Sequence, residues 1–142
     1  MCPMTDTLTL ADARRIVDAV LAHAAADGLA ITVAVVDARA EEVASARMDG
    51  APWFTPGVAR AKARSAAVMA RDTADLDGLR SSYPDLMPLI DEQLPFTLTV
   101  LEGGVVILVG DVTVGGVGVS GALPAQDVSC ARAGVEAWLA AR

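Results

Sequence analysis

Aromatic residues are scarce: Phe, Trp and Tyr make up 4% of the 142 residues, while hydrophobic residues as a whole reach 54%. The core is therefore filled by Ala, Val, Leu and Ile, whose small size lets helices and sheet approach closely. Cysteine is nearly absent. Cys2 and Cys130 are far apart and in no CxxC pattern, which argues against a zinc site or a disulfide framework. Histidine occurs once, at His23. Lys and Arg total 11 against 18 Asp and Glu, a net charge of −7. The basic residues are scattered, so neither nucleic acid nor an anionic membrane is an expected partner. No run approaches the ~18 consecutive apolar residues of a membrane span. The start, Met1-Cys2-Pro3-Met4-Thr5-Asp6, lacks the basic and apolar regions of a signal peptide, and the cytoplasm is the expected location.

The length fits one domain over residues 8–142, after a flexible tail at 1–7. Mean hydropathy is +0.46. Such a value means either that most residues are buried on both sides or that some apolar surface meets another subunit; the second, added to the first, is favoured, and a homo-oligomer is expected.

Thr9 and Asp12 have the spacing of a helix-capping box. Ala13, Ile16, Val17, Val20, Leu21 and Ala24 then recur at helical spacing, and Gly28 marks the helix end. Residues 31–36 are almost all apolar and β-branched, as in an inner strand. A turn at 37–41 and a return strand at 43–48 complete a hairpin. Thr55-Pro56 reads as an N-cap with proline in the first helical position. That helix is expected to reach Arg71, with Ala59, Ala63, Ala66 and Ala67 as a small-residue face. A short helix follows at 73–79. Residues 83–95, with three prolines, predict a short helix and a loop. Strands are expected at 96–100, 105–109 and 112–119. Pro124 opens a final helix with Val128, Ala131, Val135 and Leu139 on its apolar side. Strands joined by short turns imply an antiparallel sheet. The expected architecture is α/β (α+β): five antiparallel strands with helices on both faces.

Three stretches together resemble the GlcG/HbpS-like family, also called the haem-degrading domain family. They are Val33-Ala34-Val35-Val36-Asp37 with Ala46-Arg47-Met48-Asp49-Gly50-Ala51; Ala59-Arg60-Ala61-Lys62-Ala63; and Gly103-Gly104 with Gly116-Val117-Gly118-Val119-Ser120-Gly121 and Gln126-Asp127. The resemblance covers about residues 8–140. It implies a profilin-like three-layer α/β/α fold, assembly into dimers or larger oligomers, and haem as a possible cofactor, since some relatives bind it. The C-terminal domain of PduO-type proteins is a related branch. A Gly-Gly-His turn common in relatives is Arg39-Ala40-Glu41 here, so no histidine ligand comes from that turn.

Candidate site residues follow from chemistry and from this resemblance. His23 lies at the edge of the first helix's apolar stripe. Haem-binding relatives use a histidine from this helix, which makes His23 the candidate axial ligand of haem iron. The alternative is an edge histidine near a helix C-terminus, where its cation is favoured. Arg47 and Lys62 are candidate clamps for the carboxylates of haem or of an organic acid. Asp49 is the candidate catalytic base if the protein is an enzyme, or else it makes a turn with Gly50. Trp53 and Phe54 are candidates to stack on a flat ligand, or to anchor a subunit contact or plug the core. The Gly116–Gly121 run matches GxGxxG by letter, but lacks the βαβ context of a dinucleotide site. Its glycines permit close approach of a helix to the sheet, or of a ligand to backbone at Gly118 and Ser120.

Three functions compete. The first is binding of haem or a similar flat organic ligand in a pocket near a subunit interface. The second is a cofactor-free isomerase, lyase or tailoring enzyme acting on a small organic acid or carbonyl compound. The third is an oligomeric accessory subunit without chemistry.

Overall fold

The computed structural model describes residues 8–142. The expected tail at 1–7, with Cys2, lies outside the described residues. Helix α1 spans Leu10–Ala26, and Thr9 caps it: its hydroxyl accepts from the Asp12 amide at 3.1 Å, and the Asp12 carboxylate accepts from the Thr9 amide at 3.0 Å. Strands β1 (Thr32–Asp37) and β2 (Glu42–Arg47) form the hairpin. Helices α2 (Thr55–Met69), α3 (Thr73–Ser82) and α4 (Leu86–Glu92) follow. Strands β3 (Gly104–Val109) and β4 (Val112–Ser120) form a second hairpin before α5 (Pro124–Ala140).

The sheet is antiparallel with the order β2-β1-β4-β3. It has four strands, not five. Residues 97–100 form no strand. The Leu98 amide donates to the Asp91 carboxylate at 2.7 Å and the Thr99 amide to the Ser65 hydroxyl at 3.0 Å. Side chains thus take amides that a fifth strand would have used. The same device protects β3, an edge strand. Its Gly104 amide donates to Thr73 Oγ1 at 2.9 Å and its Val106 amide to Asp72 Oδ1 at 3.0 Å.

Helices cover both faces of the sheet. Helices α1 and α5 pack on one face, where Ile16, Val20, Val33, Val35, Ile107, Val117, Val119 and Trp138 are buried together. Trp138, rather than Leu139, completes the apolar side of α5. Its indole donates to Asp12 Oδ1 at 3.0 Å, while Leu139 is exposed. Helix α2 lies on the other face with Ala59, Ala63 and Ala67 against Ala34 and Val36. It approaches so closely that a Cβ on Gly118 would stand 1.9 Å from the Ala59 carbonyl oxygen, and one on Gly116 2.3 Å from that of Ala63. The alanine face and the glycine strand are therefore one packing unit.

Helix α2 ends at Met69, with Ala70 in the left-handed conformation (φ 54°), two residues before the expected end. Thr55 is not its N-cap. Its buried hydroxyl donates to the Pro52 carbonyl at 2.7 Å and lies 2.8 Å from the Thr32 hydroxyl, pinning the loop to β1.

Candidate functional site

Two adjoining clefts gather the side chains with chemical potential, and Glu102 lines both. The first, of about 520 Å³, runs along α5 between α3 and the end of α1. Ala125, Val128, Ser129, Arg132 and Ala133 form its floor, and His23 projects into it. His23 Nε2 lies 3.1 Å from Ser129 Oγ and 3.8 Å from Asp27 Oδ2. The ring is thus oriented from two sides and half-exposed. Arg132, at the other end, makes a 3.5 Å contact with Asp72.

The second cleft, of about 350 Å³, has walls of Pro52, Phe54, Val58, Leu101 and Pro124. Lys62 and Asp127 stand at its floor with Ser120 beside them. Both charged side chains are buried, with 5% and 4% of their surfaces exposed. Lys62 Nζ donates to Asp127 Oδ2 at 3.1 Å and to the Val119 carbonyl at 2.8 Å. Asp127 Oδ1 accepts from the Ala122 amide at 3.1 Å. Gly103, at φ 122°, makes room for the amine: a Cβ there would be 2.8 Å from Nζ. Burial works against both charges. It pushes the Lys62 ammonium below the ordinary lysine range, with Asp127 and Glu102 opposing the change. It pushes the Asp127 carboxyl up, against the pull of Lys62 and the Ala122 amide.

The residues singled out in the sequence therefore separate. Lys62, Phe54 and Ser120 share the second cleft, while His23 lines the first. Arg47 and Asp49 are exposed at the end of β2 and line neither of these clefts. The Gly118 α-carbon is covered by α2, which occupies the space a ligand would need. Trp53 projects from the rim, 84% exposed, its ring edge-on to Phe54 at 5.9 Å.

Asp127 is not recognisable from sequence as the partner of Lys62, because 65 residues separate them. A signal existed nonetheless: Lys62 is the chain's single lysine among 11 basic residues, and it sits on the alanine face of α2. Among the described residues, no cluster of three or more His, Cys, Asp or Glu side chains is placed to hold a metal ion. No described helix is long and apolar enough to cross a membrane.

Among solved structures, HbpS from Streptomyces reticuli, as a double mutant, is 32% identical, with 92% of this chain and 86% of that one covered and a TM-score of 0.81. The PduOC complex with haem is 25% identical, with 92% and 94% covered and a TM-score of 0.82. Protein ORFY of Klebsiella pneumoniae is 26% identical, with 93% and 90% covered and a TM-score of 0.83. No curated protein matches the chain. The family described as haem degrading protein, HbpS-like, matches residues 8–136. The chain belongs to this HbpS-like family.

Proposed function

We propose that the protein binds haem, or a similar flat organic ligand, in the cleft beside His23. The observation that carries this reading is the His23 imidazole, held by Ser129 at the edge of a cleft of about 520 Å³. That size lies within the ~300–1,000 Å³ of small-ligand pockets. Nε2 is the ring atom facing Ser129, and it is the atom that would hold haem iron. Ala125, Val128 and Ala133 offer small contacts to a flat ring, and Arg132 offers a guanidinium to a carboxylate. Glu102 and Glu136 also line the cleft, which leaves Arg132 as its one guanidinium for a ligand carboxylate. Bound haem supplies an iron centre for axial ligation and redox chemistry; this chain's part is to hold and orient it.

Self-association belongs to the same reading. Trp53, Leu101 and Leu123 are 84%, 57% and 68% exposed, and large apolar side chains left in water favour a subunit contact. A haemin titration of the purified protein, followed by absorbance, tests the proposal. A saturating Soret shift supports it; no saturation beyond that of a non-binding control protein overturns it.

A further inference from the structure

We infer that Lys62 is an amine nucleophile that forms an imine with a small aldehyde or ketone in the second cleft, with Asp127 as its proton relay. This inference concerns a different cleft from that of His23 and does not depend on haem binding.

Four observations converge on it. The chain's single lysine lies at the floor of a cleft of about 350 Å³ rather than in solvent. Its Nζ makes two hydrogen bonds, to Val119 and Asp127; an ammonium has three N–H groups, so one remains. Ser120 is 95% buried in the same floor, with 5% exposed, and lines the cleft beside Lys62 and Asp127. Phe54, Val58, Pro52 and Leu101 make the walls apolar. A carbonyl compound with a short apolar substituent matches this lining: its oxygen accepts from Ser120, and its carbon faces Nζ.

A purely structural ion pair needs no cleft opening onto it, and this one lies at the floor of one with apolar walls. The burial that disfavours both charges supplies the reactive form, because transfer of the Lys62 proton to Asp127 leaves a neutral amine.

The step balances. The Nζ lone pair forms the C–N bond, and the C=O π pair moves onto oxygen. Asp127 relays one nitrogen proton to that oxygen and donates its own to the resulting hydroxyl, which leaves as water. The product is a protonated imine on Lys62 beside the Asp127 carboxylate. The ammonium and the carbonyl compound have become an iminium and water, and Asp127 ends as it began.

Reductive trapping tests this at neutral pH, with propanal as the probe and cyanoborohydride as the hydride donor. Peptide mass mapping locates the propyl label. Lys62 and the chain's N-terminus are the only primary amines, so assignment is direct. The expected result is labelling of Lys62 in the folded protein at roughly ten times the rate in the guanidinium-unfolded chain, the gain of an amine held beside its proton relay. Labelling of folded Lys62 no faster than in the unfolded chain, or confined to the N-terminus, overturns the inference. Asp127→Asn, where circular dichroism shows the native fold, is expected to lose the acceleration; a retained acceleration there overturns the role of Asp127.

Discussion

Lys62 Nζ lies 3.1 Å from Asp127 Oδ2, so the chain's single lysine ties the middle of α2 to the first turn of α5. The Val119 carbonyl, 2.8 Å from the same nitrogen, adds the end of β4 to the junction. Removing one member strands the other's charge in a buried setting. Lys62→Met is expected to cost about 3–5 kcal/mol in denaturant unfolding. Lys62→Met combined with Asp127→Leu is expected to recover part of that loss. A double mutant no better than the single would show that the charges themselves stabilise the junction.

Gly118 and Gly78 predict opposite outcomes for the same substitution. A Cβ on Gly118 meets the Ala59 carbonyl oxygen at 1.9 Å, whereas one on Gly78 meets nothing within 4 Å. Gly118→Ala should push α2 off the sheet and lower the melting temperature sharply or prevent folding. Gly78→Ala, in the exposed interior of α3, should gain about 0.5–1 kcal/mol. Thermal unfolding of both variants decides the matter, and equal effects would contradict the packing described.

Much of this packing was legible in the sequence. The alanines at 59, 63, 66 and 67 announced a close helix–sheet contact, and the glycines at 116 and 118 supplied its other half. The Thr9–Asp12 box and the apolar run of β1 were equally local signals. The strand expected at 96–100 failed because local pattern does not reveal competitors for its amides, here Asp91 and Ser65. Thr55 resembled a cap because Pro56 follows it, yet its hydroxyl is used across the fold by Thr32. The Lys62–Asp127 pair was illegible for the same reason: the residues meet only after β4 brings the first turn of α5 to Lys62.

Asp12 makes stability depend on acid. Burial opposes its charge, but the Thr9 amide, the Trp138 indole, the Thr9 hydroxyl and nearby Arg142 outweigh it and hold its carboxyl below the ordinary value. A carboxyl lowered in the folded state contributes fully above its unfolded pKa and loses that contribution as pH falls through the folded one. Asp12→Asn should therefore destabilise at neutral pH and converge with the wild type in acid. Urea midpoints across an acid-to-neutral series check this, and parallel curves would contradict it. Thr9→Ala, which removes the other half of the box, should cost about 1 kcal/mol.

Trp53, 84% exposed beside Phe54, is the residue expected to answer for self-association. Trp53→Ser should shift the protein toward monomer in analytical ultracentrifugation without changing its circular dichroism. An unchanged sedimentation coefficient would remove Trp53 from any subunit contact.

His23, oriented by Ser129 at the edge of the first cleft, is the residue proposed to hold the flat ligand. Haemin titration of the wild type beside His23→Ala tests it most directly. A saturating Soret shift is expected in the wild type, and a displaced band with weaker binding in the variant. Identical spectra and affinities for the two proteins would contradict the role of His23, and no saturation in either would contradict haem binding itself.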